Sequence, residues 1–483
     1  MRFDAFVGRS YVSQSSSTDN EETICLTLER VESGEGKSEF VLIKSPGLST
    51  KRDLGVMVPV RGMMELDNVL YAVAGTTIYL LNSVFTTLTS YGPIAADGRP
   101  AMLVSDPAGS QVVVLSAGIP YLIQSSTLSI ITWLTTIPAL IKAVGFLNSF
   151  FLFLPDAGNG FYFSEPGDAN TGTAANFRTA EASANQYISM LVDHEEVWLF
   201  GTKISQVFYL SGNPAEPFAA NLSAIIPQGT AAASSPIALN NTIYWLGSSE
   251  HGETSAWSVS GYTPVRVSNH AVENRWRRMF RLDDAISWAV SWNGHLCWRI
   301  YFQDADETWQ YDAMTQDWTK QMEFSGGAYH AHRGYCAVAA FGLMLVGDRG
   351  NGKIMALSPD YLDDAGTRIR CLRRAPTISN DGLMTRYSGF ELDMARGVGI
   401  PADSTAPEFN PEVLMRYSNN NGVNWSNELA RQLGQDGNDR GNNVRWNRTG
   451  IGRKRVFEVS ISASVKVIIN NAYLPDDTEV LAG

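Results

Sequence analysis

The sequence predicts an all-β protein: a β-propeller of six or seven blades, with an N-terminal arm and a C-terminal β-sandwich-like domain. Three observations predict it. One hairpin outline recurs seven times, its anchor residues are 38–52 residues apart, and the charge balance changes after about residue 365. The outline is clearest at residues 293–312. There an Asn-Gly turn opens an alternating run through Leu296, Trp298, Ile300 and Phe302, and an acidic turn leads to a second run through Trp309 and Tyr311. Period-two alternation, rich in aromatic residues and bounded by turn formers, is the mark of a β-hairpin.

Residues 1–60 read as an N-terminal arm with a closing strand. Residues 1–36 are polar and lack periodicity, and a short strand at 40–43 ends at Ser45-Pro46-Gly47, a strong turn signal. A strand so near the N-terminus is placed to close a circular arrangement. Residues 61–365 hold the repeats, at 68–82, 109–124, 148–165, 194–210, 240–259, 293–312 and 341–358. A single small antiparallel sheet cannot bury both faces, whereas blades packed around an axis can. The alternative is a sandwich, or several small β domains whose strands are evenly spaced. Residues 366–483 form the second β domain, with strands expected at 387–394, 413–418, 444–447, 455–461 and 465–470 and a proline-rich loop at 401–411.

Composition bounds the function. Of 483 residues 44% are hydrophobic, so a large core is available, and the formal charge is −12. The first 365 residues carry 22 Lys+Arg against 36 Asp+Glu, while the remainder carries 15 against 13. A protein gripping DNA through its phosphates would show a basic balance, so this chain as a whole repels DNA. Cys25, Cys297, Cys336 and Cys371 have no metal-like spacing and read as unpaired thiols of a protein folded in a reducing cytoplasm. The N-terminus lacks the layout of a secretion signal, and the most apolar stretch, 128–154, is interrupted by Lys142, Asn148 and Pro138. No membrane insertion is expected.

Catalytic sets are weak, so no enzyme activity, cofactor or metal is expected. His330-x-His332 is a close pair without a third ligand. Glu195 and Glu196 are adjacent, and adjacent side chains on a strand face opposite ways, which does not suit a glycosidase pair. Asp304-x-Asp306 lacks the later ligands of a calcium loop. Residues 418–425 match the Asp-box outline S-x-D-x-G-x-x-W with Asn420 at the acidic position, a folding element without catalytic residues. Two basic clusters remain. The first is Arg368, Arg370, Arg373 and Arg374. The second contains Arg440 together with Arg445, Trp446, Arg448, Arg453, Lys454 and Arg455, and these last six are the candidate partner interface. An acidic protein partner, including a second copy, fits them better than DNA. A solvated sheet edge is the competing reading.

Several stretches together resemble the packaged-DNA stabilisation proteins that form the tail hub of short-tailed bacteriophages. Ser45-Pro46-Gly47-Leu48-Ser49-Thr50-Lys51 resembles the family's strand and Pro-Gly passage after the arm. Arg416-Tyr417-Ser418 through Gly422-Val423-Asn424-Trp425 resembles its penultimate hairpin, and residues 444–455, VRWNRTGIGRKR, its Trp-x-Arg-x-Gly passage. The resemblance implies a structural virion component in a hexameric ring below the portal and its adaptor proteins. It further implies that the ring carries a tail needle or fibre and seals the DNA channel, with DNA passing without specific binding. A glycan-binding or glycan-cleaving, sialidase-like propeller is the alternative, and it would require arginines and a tyrosine–glutamate pair converging on the axis.

Overall fold

In a computed structural model the described residues are 2–15, 19–33, 38–137, 139–180, 186–248, 254–401, 403–438, 441–475 and 479–480. Strands make up 55% of the chain and helix 3%. Each of the seven expected hairpins is the middle pair of strands in a separate sheet, and these sheets are seven blades. Blade one runs Val60–Leu66, Val69–Ala74, Thr77–Leu81 and Thr87–Tyr91. Blade six runs Ile286–Trp292, His295–Phe302, Glu307–Asp312 and Asp317–Lys320. The turn chemistry explains why hairpins form where they do. At Asp67-Asn68, His194-Glu195, Asn240-Asn241, Asn293-Gly294 and Phe341-Gly342 both residues have φ between +44° and +85°. Paired left-handed residues make the turn whose twist matches antiparallel strands, and Asn, Asp and Gly adopt it at least cost.

Burial shows that the blades form a ring. Among the described residues seven apolar clusters each join one blade to the next, and the last joins Val60, Leu70 and Leu81 of blade one to Leu345 and Ile354 of blade seven. In the strand His295–Phe302, Trp298, Ile300 and Phe302 pack toward blade five while Cys297 and Tyr301 pack toward blade seven. The alternation that signalled one buried face therefore serves two, because a blade is covered on both sides.

Two expectations about the N-terminus are corrected. The ring is closed by Gly47–Asp53, which pairs with Lys353–Ser358 as the fourth strand of blade seven, and not by residues 40–43. Gly47 is required there. A Cβ would lie 2.3 Å from the Asp363 carbonyl oxygen and 2.5 Å from that of Tyr361. The preceding residues are not an irregular arm. Asn20–Ile24, Leu26–Arg30 and Phe40–Lys44 are strands of the C-terminal sandwich.

One sandwich sheet orders Leu26–Arg30, Phe40–Lys44, Ile468–Tyr473, Gly389–Met394 and Val444–Asn447. The other orders Asn20–Ile24, Cys371–Arg374, Lys454–Ile461, Glu412–Ser418 and Leu429–Gln432. Phe3, Phe6, Phe390, Trp446 and Phe457 lie in the core between them. The second sheet continues into blade six through Ile24, which bridges Lys320, so propeller and sandwich share a sheet. The polar N-terminus escapes periodicity analysis because a cation holds it. Arg373, fully buried, donates to the carbonyls of Phe6 (2.7 Å) and Arg9 (3.3 Å), to Thr23 Oγ1 (2.9 Å) and to Glu21 (2.6 Å).

Candidate functional site

The seven innermost strands surround an axial space whose lining mixes apolar side chains, among them Met63, Leu103, Met190 and Ile286, with Ser189, Ser234, Ser287 and several charged groups. The space is about 410 Å³. Its lining takes only the first few residues of the inner strands, 61–63, 102–103, 141–142, 189–191, 286–287 and 335–336, so it is one end of the axial passage. Asp97, Arg99, Lys142 and Asp156 stand at the mouth. Arg61 also reaches it, but its guanidinium is occupied. It donates to the carbonyls of Gly75 (2.6 Å) and Arg99 (3.1 Å) and to Ser116 Oγ (2.7 Å), stapling blade one to blade two. Burial lowers its pKa, with Asp97 opposing.

A second feature is a chain of alternating charges across the propeller–sandwich seam. Arg275 contacts Glu307 (2.5 Å), and Lys320 sits between Glu307 (4.0 Å) and Glu22 (3.0 Å). Arg374 continues from Glu22 (2.9 Å) to Glu458 (2.7 Å), and Arg416 ends the run on Glu458 (2.5 Å). Burial alone would raise the Glu22 carboxyl, yet Lys320 and Arg374 hold it at about 2. Trp425 lies against the guanidinium carbons of both Arg374 (5.2 Å) and Arg416 (4.6 Å). No motif announced this set, since its members come from six stretches of sequence. The signal available was the first basic cluster, whose Arg373 and Arg374 pair with the acidic NEET segment at residues 20–23.

The expected interface residues separate. Trp446 is fully buried in the sandwich core and donates its indole N–H to the Leu429 carbonyl (2.7 Å). Arg455 is fully buried too. It donates to the Thr449 carbonyl (2.6 Å), with its guanidinium carbon 4.4 Å from the Tyr387 ring and 4.2 Å from that of Tyr417. Burial pulls its pKa down to about 10. Neither is an interface residue of this fold; alternation along a strand aims them inward. Arg445, Arg448 and Arg453 are exposed and Lys454 is half-buried. Arg445 pairs with Glu391 (3.1 Å) and Arg453 donates to the Gly382 carbonyl (2.7 Å). The first basic cluster is consumed internally: Arg368 on Glu408 (2.8 Å), Arg370 on Glu428 (2.8 Å), Arg373 on Glu21 and Arg374 on Glu22 and Glu458. Arg440 lies outside the described residues.

The remaining motifs have structural partners. His330 Nδ1 contacts Asp306 Oδ2 (2.7 Å), while His332 is buried beside Arg299 (3.5 Å), and burial and that guanidinium push its pKa well down. His194 links Asp193 to Asn241 of the next blade, and Glu196 accepts from Tyr262 (2.6 Å). Of the acids around the 293–312 hairpin only Asp304 is exposed. Asp312 faces His295 (2.6 Å), Glu307 faces Arg275, and Asp306 faces His330. They do not coat the surface with charge as their composition suggests. In the Asp-box, Ser418 Oγ accepts from Gly422 N (2.9 Å) and Asn420 Oδ1 accepts from Asn424 N (2.8 Å). An amide oxygen thus performs the acceptor role of the usual carboxylate.

Residues 12–362 match the family model described as bacteriophage P22 Gp10, beta-propeller, and residues 370–475 match the one described as bacteriophage P22 Gp10, beta-sandwich. No curated protein matches. Among solved structures, the Pan2 WD40 domain of Neurospora crassa is 11% identical, covering 63% of this chain and 90% of its own, with a TM-score of 0.38. An inactive virginiamycin B lyase of Staphylococcus aureus, solved with quinupristin, is 12% identical over 63% of this chain and 98% of its own, with a TM-score of 0.41.

Proposed function

Because the chain belongs to the family of bacteriophage P22 Gp10, we propose that it is the tail hub of a short-tailed phage, joining the portal and its adaptor proteins to a distal needle or fibre. The chain is a phage tail protein that stabilises packaged DNA. The match of both domains in order carries the reading. In the proposed arrangement six copies form a ring and no chemistry is performed. In this arrangement the DNA conduit lies between copies and not within one propeller. An excess of acid over base lets such a wall repel the duplex, so retention is a mechanical seal.

The test uses DNA-filled phage particles assembled without this protein. Adding it is expected to convert leaking particles into nuclease-resistant ones and to leave it bound at the portal vertex as a ring. Particles that retain DNA equally well without it would overturn the proposal.

A further inference from the structure

Three loops meet at one end of the sandwich, and their charge has one sign. Residues 380–386, the Asp-box turn at 419–423 and residues 448–454 carry Arg386, Arg448, Arg453 and Lys454 against Asp381 alone. Backbone contacts bring the loops together. Arg386 pairs in register with Ile451, the Tyr387 N–H donates to the Gly450 carbonyl (2.8 Å), and Arg453 donates to the Gly382 carbonyl (2.7 Å). Asn419 Nδ2 donates to the Ile451 carbonyl (3.4 Å), which adds the Asp-box turn. Beneath them lies buried Arg455, between Tyr387 and Tyr417 and donating to the Thr449 carbonyl, so the loops rest on a fixed base.

Two properties of this end have no use inside the molecule. Arg448, Arg453, Lys454 and the underlying Arg455 have no carboxylate partner among the described residues. Arg386 is left out of that set because Glu479 stands opposite it on the neighbouring strand. The same loops display aliphatic side chains: Leu383, Val423 and Ile451 expose 48%, 72% and 51% of their surface. Cations around an exposed apolar centre have the composition of a protein-binding surface, where apolar contacts anchor and charges select the partner. A DNA phosphate would satisfy the cations and leave the aliphatic groups unused, since interfaces with DNA are polar. Two copies cannot meet through this patch symmetrically, because like charges would face each other.

We propose that this end of the sandwich docks an acidic segment of another protein of the tail. Carboxylates of that segment lie on Arg448, Arg453 and Lys454, and an apolar side chain of it covers Leu383 and Ile451. Complementary charge is what selects this occupant. The inference rests on the tail-hub reading above and locates one of its contacts.

Photo-cross-linking in assembled particles tests it. Full-length protein with p-benzoylphenylalanine in place of Ile451, and a second version with it in place of Val423, is added to DNA-filled particles lacking the protein. After irradiation, mass spectrometry identifies the attached peptides. Adducts to an Asp- and Glu-rich peptide of a different chain are expected from at least one position. The combined Arg448→Glu and Arg453→Glu variant should lose those adducts about tenfold or more. Its thermal unfolding should be unchanged, because both side chains are exposed. Adducts to a second copy or to DNA alone, adducts that survive the charge reversal, or uptake without any adduct would overturn the docking surface and leave the tail-hub reading standing. Failure of the unmodified protein to join the particles would overturn both.

Discussion

The propeller and the sandwich are both built of antiparallel strands, yet they are assembled in opposite ways. In the propeller, neighbours in sequence are neighbours in space, and each blade except the last takes its four strands from one continuous stretch. In the sandwich, residues 20–44 are inserted among strands more than 300 positions away. The first is held by apolar clusters between blades. Fully buried arginines occur in both, Arg61 and Arg299 in the propeller and Arg373 and Arg455 in the sandwich. In the sandwich, however, Arg373 and half-buried Arg374 have partners, Glu21 and Glu22, that come from the other end of the chain. The lesson is that a polar terminal segment with no periodicity can still be an integral part of a core, provided buried charges supply what apolar alternation does not.

Removing residues 2–24 tests this difference most severely. It takes Phe3, Phe6 and Ile24 from the sandwich core, strips Arg373 of Glu21 and leaves Arg374 with Glu458 alone. The C-terminal domain is expected to become protease-sensitive while a fragment from about residue 47 to 365 survives, the closing strand being retained. Equal sensitivity of both halves would refute the independence of the ring.

Next in size is Arg373→Met. Breaking a buried pair from one side costs about 3–5 kcal/mol, read as a fall in the urea midpoint. Loss of under about 1 kcal/mol would show that the N-terminal segment docks by its phenylalanines alone.

The pH dependence is a third, smaller probe. Burial raises the carboxyls of Glu21, Asp317 and Asp364 to about 7, against partial opposition from neighbouring arginines. Their folded pKa values exceed the unfolded ones, so the native state binds more protons between about pH 4 and 7, and stability falls as pH rises through that window. Glu22 acts oppositely: held at about 2, it contributes stability above its unfolded pKa, and this is lost as pH falls from about 4.5 through 2. The urea midpoint should therefore decline from pH 5 to 8. Asp317→Asn should make that slope shallower, each pKa unit being about 1.4 kcal/mol. An unchanged slope in the variant would remove Asp317 from this account.

The smallest effects are expected where sequence and structure diverge within one basic cluster. Arg448→Ala and Asn420→Asp should each shift stability by less than about 0.5 kcal/mol. Arg455→Ala, a few residues from Arg448, should be far more costly because it empties a fully buried site between Tyr387 and Tyr417. Similar thermal unfolding of Arg448→Ala and Arg455→Ala would erase the distinction.

What the sequence alone determined was local. The seven hairpins, their turns at Asn, Asp and Gly, the strands of the C-terminal domain and the Asp-box all follow from periodicity and backbone preference within a few residues. The family resemblance rode on the same short motifs. Tertiary structure alone decided the rest: that Gly47–Asp53 closes the ring, that Asn20–Ile24 joins the sandwich, and that Arg455 and Trp446 face inward while Arg448 faces out. The charge chain from Arg275 to Arg416 belongs here too. Pairings across hundreds of residues leave no periodic trace, because the physical cause of each residue's role is a partner supplied by another part of the chain.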